Sequence, residues 1–189
     1  MTEIARSDEG RIPWRVVGWS AAALILLLPL VAMQFTDEVN WTAGDFAFAA
    51  LLILAVAVPS ELVVRKTGDA AYRAGAGIAL ATGFLLLWSN GAVGITDSEA
   101  DLWLALVPAV GVVGAFLARF RPGGMAIAMF VTALTQASIA VATLIMGIVP
   151  AFNTPVEILG INGFFVVLFV GSGLLFRNAT AGRQLATGD

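Results

Sequence analysis

The chain has 189 residues, of which 59% are hydrophobic and only 12% charged; its mean hydropathy is +0.92 and its net charge is -3. A soluble domain carries about 25% charged residues, so the composition argues against that class. With no cysteine and no histidine, it also argues against zinc and haem sites, cysteine nucleophiles, redox disulfides and histidine triads.

A helix needs roughly 18 or more apolar residues to cross a hydrocarbon layer about 30 Å thick. Six stretches meet that length, at about 14-35, 43-64, 71-95, 100-118, 124-148 and 155-176. The first is read as a retained span, because Val31-Ala32-Met33-Gln34 lacks the small-x-small pattern of a cleavage site. The expected fold is all-α, a single transmembrane domain over 1-189 with short tails.

Basic residues collect in cytoplasmic loops, which tests the span count independently of hydropathy. Arg6, Arg11 and Arg15 precede span one, and Arg65, Lys66 and Arg73 join spans two and three. Arg119 and Arg121 join four and five, and Arg177 and Arg183 follow six. The other loops hold only acids: Asp37, Glu38, Asp45, Asp97, Glu99, Asp101 and Glu157. Both termini are therefore expected in the cytoplasm. Trp14, Trp19 and Tyr72 fall at inner ends of spans, Trp41 and Trp103 at outer ends, and Trp88 about two turns inside the outer end of span three.

Each external connection re-enters through Thr-x-x-acid: Thr42 to Asp45, Thr96 to Glu99, Thr154 to Glu157. That spacing is a capping box, in which hydroxyl and carboxylate satisfy amides otherwise left open at a helix start. Pro155 suits the first helical position of the third. The repeat describes three helical hairpins.

Asp37, Glu38, Asp97 and Asp101 form an outer face that attracts cations, although solvated loop charges are the favoured explanation of them. No calcium-loop pattern and no metal site are present in the sequence. Glu61 lies four residues before Arg65, the spacing of a local ion pair. In span five, Gln136 falls near the midplane among Ala128, Thr132 and Ala140, where an amide must find a partner. Ala71, Gly75, Ala79 and Gly83 form a small-residue stripe on span three, a surface for close helix contact. Trp88, Asn90, Gln136 and Asn162 lie at similar depths, so a small outward pocket lined by these four is the competing reading of the polar residues. Pro29 and Pro108 sit at matching depths, where kinks serve either packing or a vestibule.

The segments MQFTDEVNWTAGDF at 33-46, WSNGAVGITDSE at 88-99 and ARFRPGGMA at 118-126 resemble an uncharacterised family of small bacterial multi-pass inner-membrane proteins. The resemblance implies a bacterial inner membrane and carries over no activity or binding residue. Neither the paired Asn-Pro-Ala motif of aquaporins nor the histidine of rhomboid-like proteases is present.

The expected function is that of a non-enzymatic membrane protein, an assembly or accessory subunit or a homo-oligomer, with its polar residues as helix glue. It needs no cofactor and no nucleic acid; its partners are the lipid bilayer and a membrane protein or further copies of itself. The alternative is a small transporter, channel or solute-binding subunit with an outward vestibule. An enzyme is disfavoured, because no paired carboxylates fall inside the spans.

Overall fold

The computed structural model describes residues 14-93, 100-147 and 154-187, and all regular structure among them is helical. The helices are α1 (Trp14–Ala32), α2 (Ala43–Lys66), α3 (Ala70–Val93), α4 (Ala100–Leu117), α5 (Pro122–Ile145) and α6 (Pro155–Thr187). Four of them, α2, α3, α5 and α6, contain segments long and apolar enough to cross a membrane; the shorter apolar segments Val16–Ala32 and Ala105–Leu117 lie in α1 and α4.

The boundaries follow local chemistry. Ahead of α2, Thr42 and Asp45 form the expected capping box: the Thr42 amide donates to Asp45 Oδ2 at 2.7 Å and the Asp45 amide to Thr42 Oγ1 at 3.4 Å. Trp41 packs edge-on against Phe46 at 5.2 Å between ring centroids, a hydrophobic staple across the same cap. The box recurs at α6, where the Thr154 amide donates to Glu157 Oε2 at 2.8 Å and the Glu157 amide to Thr154 Oγ1 at 3.3 Å. The third box, Thr96 and Glu99, lies outside the described residues.

Helix α6 continues to Thr187, past the expected end at 176, because apolarity stops at Arg177 while helix-compatible sequence does not. Its extension is also packed: Ala179 is buried and Thr180 Oγ1 donates to the Phe176 carbonyl at 3.0 Å.

The chain divides into two compact units, Met1–Ala57 and Val58–Asp189. The first holds α1 and most of α2. Pro29 lies inside α1, whose end is closed by Met33 and Thr36 amides bonding back to the Pro29 and Ala32 carbonyls.

In the second unit, α3 touches α4, α4 touches α5, α5 touches α6 and α6 returns to α3, a four-helix ring. Arg73 ties the entry to this ring by donating from Nε to the Thr67 carbonyl at 2.7 Å and from Nη2 to the Val64 carbonyl at 2.9 Å. A cation is thereby placed at the negative end of α2. Asp69 caps α3 by accepting from the Tyr72 amide at 3.0 Å.

Helix α5 is the most enclosed of the ring, with Met125, Met129, Thr132, Gln136, Ile139 and Ala140 buried at helical spacing. Its other side exposes Ile127, Leu134, Val141 and Ile145. An apolar outer surface around a partly polar interior fits a chain surrounded by hydrocarbon.

Small residues set the helix separations. A β-carbon at Gly114 would stand 2.8 Å from Ala128 Cβ, and one at Gly173 would stand 2.8 Å from the Phe130 ring, so α4 and α6 both approach α5 at glycine. On the α3 stripe, Gly75 is buried against α6, where a β-carbon would meet the Ser172 carbonyl at 3.2 Å and Leu175 Cβ at 3.3 Å. Ala71, Ala79 and Gly83 are half-buried, and a β-carbon at Gly83 would meet nothing within 4 Å.

The turn between α4 and α5 puts two non-glycine residues in left-handed backbone, Arg119 at φ 49° and Phe120 at φ 57°. Such conformations cost about 1–2 kcal/mol per residue. The turn is held by the Phe120 amide donating to the Ala115 carbonyl at 3.2 Å and by Tyr72 Oη donating to the Phe120 carbonyl at 2.8 Å.

These contacts separate two glycines of one stripe. Gly75→Leu forces α3 and α6 apart and destabilises the unit by about 1–3 kcal/mol, whereas Gly83→Ala is neutral or stabilising by up to about 1 kcal/mol through helix propensity. Thermal unfolding of the two variants in detergent checks the contrast.

Candidate functional site

Few polar side chains are enclosed in the ring, and most are committed to backbone. Thr82, Thr132 and Thr143 each donate to the carbonyl four residues earlier, at 2.6, 2.8 and 2.9 Å. A threonine bonded this way satisfies its hydroxyl within its own helix. Ser172 instead crosses between helices, donating from Oγ to the Gly75 carbonyl at 2.8 Å; the close approach at Gly75 makes that reach possible. Beside it, Tyr72 meets Phe176 edge-on at 4.9 Å.

The candidate site is the pair of amides between α5 and α6. Gln136 is fully buried, and its Nε2 donates to Asn162 Oδ1 at 2.6 Å. Asn162 Nδ2 donates in turn to the Ile158 carbonyl, one helical turn back, at 2.8 Å. This chain of bonds fixes the polarity of both amides. Asn162 must present its oxygen to Gln136 because its nitrogen is engaged, and Gln136 must therefore present nitrogen. Gln136 Oε1 then has no hydrogen-bond partner among the described residues. An enclosed amide oxygen without a donor is costly, and the groups that satisfy it are hydroxyl, amine or amide donors of a small molecule, or water.

Of the four residues expected at similar depth, the structure brings Gln136 and Asn162 together. Trp88 is half-buried and stacked on Phe84 of its own helix, with centroids 5.9 Å apart and 14° between planes. The side chain of Asn90 lies outside the described residues. The need of Gln136 for a partner is legible from its place in an apolar helix; the choice of Asn162 depends on how α5 and α6 are rotated against each other.

On the acidic face, Asp37 and Glu38 are exposed, and the Glu38 amide donates to Thr36 Oγ1 at 3.2 Å. Asp97 and the side chain of Asp101 lie outside the described residues. Among the described residues no group of three or more metal-ligating side chains is close enough to hold an ion. Glu61 accepts from Arg65 Nε at 2.7 Å, the i,i+4 ion pair expected from the spacing.

The chain matches no protein-family model, no curated protein and no solved structure. Its chemistry has to be read from its own residues.

The amide pair predicts an asymmetry between variants. Asn162→Leu leaves both ends of the enclosed Gln136 amide without a partner and destabilises by about 1–3 kcal/mol. Gln136→Leu removes the open oxygen together with the bond and costs less. The double variant falls short of the sum of the two, with a coupling of about 0.6–1.7 kcal/mol, the range of hydrogen bonds between membrane helices. Unfolding of the three proteins in detergent measures each quantity.

Proposed function

We propose that the chain is a non-enzymatic integral membrane protein of six spans, with both termini cytoplasmic, that serves as an assembly or accessory subunit or as a homo-oligomer. The hydrogen bonds of Ser172 to Gly75, Tyr72 to Phe120 and Gln136 to Asn162 carry this reading. They spend the interior polarity on joining helices, and they leave apolar outer faces as the surface offered to neighbours. The confinement of all ten basic residues to one set of loops supports the span count and the orientation. The bacterial inner membrane is proposed from the resemblance of the segments 33-46, 88-99 and 118-126.

A second reading, a transporter, channel or solute-binding subunit, is favoured by one atom. Gln136 Oε1 is buried and open, and a solute that donates a hydrogen bond there would use Asn162 as its neighbour. No phosphate-binding loop occurs in the sequence, so uphill transport would draw on another energised subunit or on an ion gradient.

Native mass spectrometry after mild extraction from the source membrane separates the two. Assembly predicts a stoichiometric second protein or a defined homo-oligomer carrying no small molecule other than membrane lipid. A monomer that retains a reproducible small molecule that is not a membrane lipid overturns it in favour of solute binding. In that case Gln136→Leu should abolish retention.

A further inference from the structure

Along the contact of α4 with α5 runs an open groove of about 510 Å³, lined by apolar side chains that include Leu106, Val110, Val113, Leu117, Ile127 and Val131. Glycine and alanine form its floor: Gly114 meets Ala128 and Gly124 meets Ala118 where the helices come together, and Ala109 lines the groove with only a methyl group. From Leu106 to Leu117 the groove follows twelve residues of α4, a rise of roughly 16 Å from first to last. That is about half of a 30 Å hydrocarbon core, the depth of a single leaflet.

One end of the groove is charged. Leu117, Ala118 and Gly124 lead directly into the turn that carries Arg119 and Arg121, and both arginines are exposed. Neither guanidinium has a carboxylate partner among the described residues. The left-handed backbone at Arg119 and Phe120 and the bond from Tyr72 to the Phe120 carbonyl fix the turn that carries the two cations. An apolar channel one leaflet long that opens onto two unpaired cations is complementary to an amphipathic anion with a long hydrocarbon tail. A second copy of the chain would bring another apolar face, and the inner-side acids among its described residues are already engaged, Glu61 by Arg65 and Asp69 by the Tyr72 amide.

We propose that this groove binds one anionic phospholipid, with an acyl chain along α4 and α5 and the phosphate between Arg119 and Arg121. The proposal rests on the membrane reading above and is independent of the assembly reading. The arginines supply selectivity for the headgroup and the groove supplies affinity for the tail, so the two contributions separate by mutation.

The test uses the full chain in detergent and in nanodiscs, titrated with phosphatidylglycerol or with phosphatidylcholine of the same acyl chains and read by native mass spectrometry. Wild type should retain one phosphatidylglycerol in preference to phosphatidylcholine by roughly thirtyfold, about fivefold for each arginine near an anionic headgroup. Arg119→Gln with Arg121→Gln should remove that preference while leaving weak binding of both lipids. Ala109→Phe fills the groove from an exposed position and should reduce both lipids while leaving unfolding temperature unchanged. Equal retention of the two lipids by wild type, or phosphatidylglycerol binding unaltered in both variants, overturns the proposal. A dimer that Ala109→Phe converts to monomer also overturns it, by giving the groove to a second copy. Failure of the wild-type chain to enter nanodiscs defeats the membrane reading itself, an outcome distinct from entry without lipid preference.

Discussion

A primary amide enclosed in a helical bundle has two donors and an acceptor to satisfy, and inside an apolar layer no bulk water is there to help. Gln136 meets part of that demand by donating from Nε2 to Asn162, which donates in turn to the Ile158 carbonyl, while Gln136 Oε1 is left open. The bond of 2.6 Å requires α5 and α6 to face each other with these two positions in register. Once they do, Gly173 must lie under Phe130, where a larger residue would collide with the ring. The polar contact therefore fixes rotation, and the glycine fixes separation.

The same division of labour closes the rest of the ring. Gly75 lets α3 reach α6, and Ser172 uses that proximity to bond its carbonyl. Gly114 lets α4 reach Ala128 on α5, and the packing there is purely apolar. Dispersion and small-residue contact supply most of the attraction between helices surrounded by hydrocarbon, where burying one more apolar side chain gains little over leaving it in lipid. Hydrogen bonds across the interfaces then select one arrangement among several of similar packing energy. The open Gln136 oxygen is the point where this selection is incomplete, and so it is where the assembly and solute-binding readings part.

Much of the helical pattern was legible in the residues. Apolar runs located the helices, Thr42 with Asp45 and Thr154 with Glu157 marked two of their starts, and Glu61 pointed to Arg65. All of these depend on residues within one or two turns of each other, where spacing alone decides the geometry. The partner of Gln136 was not legible, because it lies 26 positions away on a helix whose rotation no local rule sets. Gly75 and Gly83 look alike in the stripe, yet only the first meets a neighbouring helix at that distance. The apolar run is shorter than α6 because hydropathy marks where an apolar span ends, whereas a helix ends where capping or proline stops it. The groove between α4 and α5 was invisible for the same reason as the amide pair: it belongs to two helices and to neither sequence alone.

The proposed arrangement puts this ring of helices in a bilayer with its arginine-bearing turns on one side and its acidic connections on the other. Because the chain contains no cysteine, single cysteines report position without background. In intact cells, Ser98→Cys should react with a membrane-impermeant thiol reagent, and Thr67→Cys should react only after the membrane is permeabilised. Labelling of Thr67→Cys but not of Ser98→Cys in intact cells, or equal labelling of both, would contradict the account.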